Sequence, residues 1–396
     1  RESGMGMFVS HVITRLIVGG AQENTISTVL GLHESSDVDV ELISGPTDAS
    51  LSEGSLDFKL SKIPNRFHIE PHLIRPVSLL HDFRAYISLK RRYQETLPDI
   101  VHTHSGKAGF IGRLAAKAAG VKCIIHTIHG PSFGSYQNAL SNAFFVNAER
   151  MAGRATHHFI GVADAMCRQY QQAGIGNPSN YSTIYSGFDL NAFLSTNPNA
   201  ALRAKLGILE TDFVIGKIAR LFDLKGHQEL FSVLPRLIQK IPNLKLLLIG
   251  GGPHKKLFIN QLNQMGLRNR VVFSGLIKPE EVPQWVGIMD VLTHLSQREG
   301  LPRALPQAMA AGKPVVAYDL DGSPEVCITG KTGFLLQPGD QRALINAMVT
   351  LFENPTLRKR LGHAGKDLVK KRFTVQTMVE SIHRLYLRLL ENGGNG

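Results

Sequence analysis

Cysteine is scarce in this 396-residue chain. The three present, Cys123, Cys167 and Cys327, are widely spaced and form no CxxC pair, so neither a disulfide framework nor a cysteine zinc site is expected, and a reducing compartment fits. There is one Trp and no aromatic-basic recognition motif, which argues against nucleic-acid binding. No run of eighteen apolar residues occurs, so no transmembrane helix is expected, and no signal-peptide core precedes the first strand. A GxGxxG fingerprint is missing as well, and so is any low-complexity segment apart from the Gly/Asn tail Asn392–Gly396.

What is there fits a globular protein of two domains. Hydrophobic content is 43% and charged content 19%, and the length exceeds what one ordinary core spans. The net charge of +12 is uneven. Residues 1–190 hold 17 basic against 16 acidic side chains, and residues 191–396 hold 27 against 16. Such a surplus favours anionic partners, among them nucleotide phosphates and acidic lipid headgroups. Residues 58–92 carry Lys59, Lys62, Arg66, Arg75, Arg84, Lys90, Arg91 and Arg92 against Glu70 and Asp82, with Phe58, Phe67, Phe83 and Tyr86 interleaved. That pattern suits a membrane-surface or acceptor-binding face, and equally a helix with a wet side.

Strand-like apolar runs alternate with helical stretches. Met7–Ile13, Val38–Ile43, Ile100–His104, Cys123–Thr127 and His158–Val162 read as strands, with helices over Gln22–Leu32 and up to Ala119. Turn chemistry then intervenes near Tyr185–Asp189 and Asn197–Asn199. The alternation restarts with Phe213–Ala219, Leu244–Ile249, Val271–Phe273, Val291–His294, Val315–Tyr318 and Gly333–Leu336. The expected fold class is α/β, with two doubly wound parallel-sheet Rossmann-like domains facing a cleft. The domains are placed at 1–193 and 194–374, followed by an amphipathic helix and tail at 375–396 that cross back to the first domain.

Residues 296–316 concentrate the chemistry. Glu299 sits beside Gly300 and Leu301 in a short loop, Gln307 follows eight positions later on a helical run, and Gly312-Lys-Pro314 ends that run. One hydrogen-bonding acid with free backbone N–H groups near a helix N-terminus suits a polyol joined to phosphate, as in a sugar nucleotide. A loop capped by a charged residue is the alternative. Arg220 and Lys225 follow a strand and together would neutralise a diphosphate without a metal, or simply belong to an exposed loop. Gly19 and Gly20 occupy the first strand-to-helix turn, either as a plain tight turn or to let backbone approach a phosphate. His129, between a strand and Gly130, is a candidate for contact with sugar or acceptor, or for proton movement; with sixteen histidines a structural role competes. His102 and His104 share a strand face, with no third metal ligand at convincing spacing.

An ordered set of motifs resembles the family 4 retaining glycosyltransferases (glycosyl transferases group 1) of GT-B fold. It comprises Gly19-Gly-Ala-Gln22, Pro98–Ser105, Gly216–Gly226, Arg298-Glu-Gly-Leu-Pro302, Asp321–Val326, Thr332–Leu335 and Arg372-Phe373. The resemblance implies transfer of a sugar from a nucleotide diphosphate, UDP- or GDP-linked, to an acceptor hydroxyl, in polysaccharide, lipopolysaccharide or glycolipid synthesis. It implies no metal and no other cofactor. Glu299, with the backbone of Gly300 and Leu301, would hold the donor sugar, and Arg220 and Lys225 the leaving diphosphate. Gly19 and Gly20 would join them, Leu276 and Ile277 would hold the base, and His129 would face sugar or acceptor. The family's second acid is here Gln307, which keeps hydrogen bonding to a ribose but brings no charge. Pro302 removes an N–H from the phosphate cradle. The implied location is cytoplasmic, with peripheral attachment to the inner face of the cytoplasmic membrane and a glycan or lipid-linked acceptor. A sugar-nucleotide epimerase or phosphorylase of the same fold is the alternative enzyme, and a non-catalytic lectin-like relic the alternative binding protein.

Overall fold

The structure is a computed structural model, which describes residues 6–47 and 54–393. The last three residues of the Gly/Asn tail lie outside them. The chain divides into two compact units. One runs to Gly187 and is completed from Val375 onward; the other is Phe188–Thr374.

The first unit holds a seven-stranded parallel sheet. Its strands are β1 (Met7–Ile13), β2 (Val38–Ser44), β3 (Phe67–Ile69), β4 (Ile100–His104), β5 (Cys123–Ile128), β6 (His158–Gly161) and β7 (Tyr181–Thr183), in the spatial order β3-β2-β1-β4-β5-β6-β7. Helices on both faces bury the sheet, so β4, β5 and β6 have no exposed residue and read as apolar runs interrupted by Thr and His. One face packs Val9, Ile13, Ile26 and Val29 with Met378, Ile382 and Tyr386 of the terminal helix Val375–Gly393. Gly31 makes that helix packing possible: a Cβ there would lie 2.6 Å from Val379 Cγ2. The other face packs Leu89 and Tyr93 of helix Leu79–Thr96 with Ala108, Ile111 and Ala115 of helix Gly106–Ala118.

The second unit repeats the plan with β8 (Phe213–Ile218), β9 (Leu244–Ile249), β10 (Val271–Phe273), β11 (Val291–His294), β12 (Val315–Tyr318) and β13 (Gly333–Leu336), in the order β10-β9-β8-β11-β12-β13. Its core joins Leu244, Leu246 and Leu248 to Leu230, Leu234 and Leu237 of helix His227–Lys240. Both sheets reverse winding direction beside their first strand, between β1 and β4 and between β8 and β11. Ligands of doubly wound sheets bind at the carboxyl ends of strands at that point. No helix among the described residues is long and apolar enough to cross a membrane.

Candidate active site

In the second unit the loops leaving β8 and β11 meet. Lys225 Nζ lies 3.1 Å from Glu299 Oε1. Three ties hold the loops in place. Gln297 N–H donates to Leu224 O at 2.9 Å, Glu299 N–H to Asp321 Oδ2 at 2.7 Å, and Gly322 N–H to Gly300 O at 3.0 Å. Lys225 is gripped locally by two left-handed residues, Leu224 (φ 65°) and Gly226 (φ 80°). Gly226 is obligatory there, because a Cβ would fall 2.3 Å from Leu295 O.

A second close approach brings in β9 and β10. The Gly250-Gly251-Gly252 turn lies on the main chain of Ala219–Leu221, with Leu221 N–H donating to Gly251 O at 2.9 Å. A Cβ on Gly250 would sit 2.2 Å from Ala219 O. Leu276 follows β10 against Gly251 and is 80% exposed, so it offers an exposed apolar side chain. Along the carboxyl edge the order is therefore Leu276 and Ile277, the glycine turn, Arg220 and Lys225, Glu299, then Asp321. Arg220 is exposed, with its guanidinium 5.9 Å from the Phe222 ring.

Helix Ala304–Ala310 begins later than the phosphate argument from sequence requires. Gly300 and Leu301 lie in the loop ahead of it, and their backbone N–H groups have no hydrogen-bond partner among the described residues. Pro306 is the third helical residue, where a missing N–H costs nothing. Gln307 is partly exposed on the helix's first turn.

The Glu299 side chain is 19% exposed. Burial alone would raise its pKa, but the His294 ring, Lys225 and Ser296 outweigh burial and hold the carboxyl well below the usual range. His294 Nε2 lies 3.3 Å from Glu299 Oε1, within ion-pairing distance but without hydrogen-bond alignment. Behind this pair, Lys217 of β8 is 1% exposed and its Nζ has no hydrogen-bond partner. Burial, then repulsion from Lys225, pushes its pKa down to about 7.

The first unit brings Gly19, Gly20 and His129 to the carboxyl edge of its own sheet. Gly19 caps helix Gly20–His33 in extended backbone, φ 179°, that any residue adopts, and nothing lies within 4 Å of where a Gly20 Cβ would be. Neither position is strained; Gly20 leaves open space above the helix start, whereas a Cβ on Gly19 would lie 2.6 Å from Gln22 Oε1. His129 directly follows β5, and its Nε2 shares a hydrogen bond with His104 Nδ1 at 2.9 Å.

A model described as Glycosyltransferase Family 4 matches residues 18–192, and one described as Glycosyl transferases group 1 matches residues 199–368. The chain belongs to glycosyltransferase family 4. Among curated relatives, an Escherichia coli UDP-Gal:alpha-D-GlcNAc-diphosphoundecaprenol alpha-1,3-galactosyltransferase is 28% identical over 326 residues, 81% of this chain and 84% of that protein. The Staphylococcus aureus capsular polysaccharide biosynthesis glycosyltransferase CapM is 24% identical, over 82% of this chain and 85% of that protein. The crystal structure of Anabaena HepE in complex with UDP-glucose shares the fold with a TM-score of 0.77 at 23% identity, covering 96% of this chain and 99% of that one. The fold is thus GT-B, and the activity is glycosyl transfer.

Sequence reasoning missed four residues of this glycosyltransferase's polar sites. Lys217 and His294 lie inside strands that read as core, although a lysine in Phe213-Val-Ile-Gly-Lys217-Ile is itself a signal. Asp321 (φ 50°) anchors Glu299 from the next strand's loop. His11 supplies the third imidazole beside His102 and His104, and only the sheet order, which registers His11 with His102, reveals it.

Proposed function

We propose that this glycosyltransferase moves a sugar from a nucleoside diphosphate to an acceptor hydroxyl with retention of anomeric configuration and without a metal. The Lys225–Glu299 pair at the switch point of the second sheet carries the proposal. A donor laid along the carboxyl edge puts its base on Leu276 and Ile277, its diphosphate at Arg220 and Lys225, and its sugar hydroxyls on Glu299. Gln307 offers a neutral hydrogen-bonding partner to the ribose. Two fixed cations supply the charge that would otherwise come from a metal as negative charge grows on the leaving oxygen. Glu299, tied to Lys225 and His294, suits a hydrogen-bond acceptor better than a covalent nucleophile. The C1–O bond to the diphosphate then breaks as the acceptor oxygen bonds to C1 on the same face, and the acceptor's proton passes to the leaving phosphate oxygen. Identifying the anomer formed, by proton NMR of the first product, tests this: an inverted linkage would overturn it.

The acceptor is read as a lipid-linked glycan met at an anionic membrane surface on the cytoplasmic side. Helix Leu79–Thr96 supports this. Leu79, Leu80, Phe83 and Ile87 are exposed, with Arg84 and Lys90 on the same helix lacking ion pairs among the described residues. Other cations of the 58–92 stretch are neutralised, Arg66 by Asp39 at 2.6 Å and Arg92 by Glu41 at 2.5 Å. The Escherichia coli relative is named for a diphosphoundecaprenol-linked acceptor. Flotation with vesicles containing acidic phospholipid tests the surface: Phe83→Ser with Ile87→Ser should abolish co-flotation, and unchanged flotation would count against this helix.

A further inference from the structure

Beneath His129, six side chains of the first unit form one unbroken hydrogen-bonded line. His129 Nε2 lies 2.9 Å from His104 Nδ1, and His104 Nε2 lies 2.8 Å from His11 Nδ1. His11 Nε2 is 3.2 Å from the Tyr386 hydroxyl, which is 2.5 Å from His102 Nδ1. His102 Nε2 ends the line, 2.6 Å from the Thr127 hydroxyl. His129 is partly exposed; the other five are at most 4% exposed.

His11, His102 and His104 also bring three ring nitrogens within 4.8 Å of one another, a grouping that suits zinc. The distances favour hydrogen bonds. Two nitrogens at roughly 2.0–2.1 Å from a tetrahedral zinc are separated by roughly 3.3 Å, more than the 2.8 Å between His11 and His104. Every ring nitrogen of the three also has a side-chain partner already.

Burial lowers the pKa of all four rings, to about 3 for His11 and His129, so they are neutral at neutral pH. A neutral imidazole has one N–H and one bare nitrogen, and the Tyr386 hydroxyl has one proton for two neighbours. The protons must therefore all point from Thr127 toward His129, or all point back. Thr127 breaks the tie. Its hydroxyl has no other hydrogen-bond partner among the described residues. In the backward arrangement its proton would be buried with no acceptor, whereas in the forward arrangement His102 Nε2 receives it. An orphaned buried donor is tolerated less well than an under-used acceptor.

We propose that Thr127, His102, Tyr386, His11 and His104 are positioning residues that fix His129 as its Nδ1–H tautomer, so that the ring nitrogen left for a ligand is a hydrogen-bond donor. All four rings then carry Nδ1–H, opposite to the Nε2–H preference of free histidine. The ligand group that fits is an uncharged or anionic oxygen, such as a sugar hydroxyl oxygen. Only that last consequence rests on the transferase reading.

The test is long-range proton–nitrogen correlation NMR on the full chain labelled with 15N-histidine, without substrate, with His129→Gln and the equivalent single variants used for assignment. Four rings that do not titrate near neutrality, each with the Nδ1–H pattern, are expected. Thr127→Val removes the terminal hydroxyl with little change of shape and leaves His102 Nε2 facing a methyl group, where a bare nitrogen is again tolerated better than an N–H. The Nδ1–H pattern should persist, and any Nε2–H signal that does appear should appear in all four rings in the same proportion, although Thr127 does not touch His129. The Nε2–H pattern at His129 in the unaltered protein would overturn the proposal. So would a Thr127→Val effect confined to His102, or one equivalent of zinc in the purified protein. Turnover of the same sample separately reports on the transferase reading.

Discussion

Lys225 and Glu299 are 74 positions apart in the chain, yet their side chains pair at 3.1 Å across the loops of adjacent strands. Each is positioned by backbone rather than by the other. Lys225 stands between two left-handed residues, and the Glu299 N–H is held by Asp321. A donor sugar phosphate entering here meets a cation and an anion already set at neighbouring points. Glu299→Gln keeps the shape and removes the charge. It should lower kcat/KM by about 100-fold or more, the scale of losing one preorganised electrostatic group, with little change in Tm. Steady-state kinetics with thermal melting checks this, and unchanged turnover would remove Glu299 from the site.

The same positioning exposes Lys225 to changes in its neighbour. Gly226→Ala places a methyl 2.3 Å from Leu295 O at φ 80°. Gly266→Ala has a similar φ, 69°, with nothing within 4 Å. The second should cost about 1–2 kcal/mol, the left-handed penalty alone. The first should cost clearly more and should reduce activity in the fraction that remains folded. Denaturant unfolding of both variants separates backbone strain from collision.

Lys217 makes stability depend on pH in an alkaline window. Its pKa in the native protein is about 7 against an ordinary 10.5. Between those values the unfolded chain holds a proton that the native protein lacks, so stability rises with pH, by up to about 1.4 kcal/mol per unit. Below pH 7 both states are protonated and the penalty is complete. Lys217→Met should therefore stabilise the protein most below pH 7, and the gain should shrink toward pH 10.5. Urea melts of both proteins across that range measure the difference, and a gain that grew with pH would contradict the assignment.

Arg113 is fully buried and pairs with Glu149 at 2.8 Å, joining helix Gly106–Ala118 to helix Ala139–Gly153. Glu149→Leu strands the guanidinium and should cost about 3–5 kcal/mol, whereas replacing both partners by apolar residues of similar size should restore most of it. Chemical denaturation of the single and double variants tests this pair.

The central strands were legible because both faces of each sheet are covered, which forces largely apolar runs such as Leu244–Ile249, interrupted only by Lys245. The edge strands Phe67–Ile69 and Tyr181–Thr183 were not, since each is three residues long and holds polar residues, unlike the equally short but wholly apolar edge strand Val271–Phe273. Glu299 and Lys225 were legible as residue types after strands, but their pairing depends on β8 lying next to β11, a property of sheet order. The start of the helix bearing Gln307 was obscured by Pro302 and Pro306, which restrict the same backbone from both sides. The 58–92 basic stretch looked uniform in sequence, yet Asp39 and Glu41 from β2 neutralise part of it through contacts that local composition does not contain. His11 is invisible as a partner of His102 until β1 and β4 are known neighbours.

The most direct test of the account is calorimetric titration of nucleoside diphosphates and their sugars, with the UDP and GDP series first, in EDTA, against the unaltered protein and Glu299→Gln. The account predicts that one nucleotide sugar binds without metal. It predicts that Glu299→Gln weakens that nucleotide sugar without weakening the bare diphosphate, whose partner Lys225 loses only a competing carboxylate. A requirement for added metal, or equal weakening of the sugar-bearing and bare nucleotides, would contradict it.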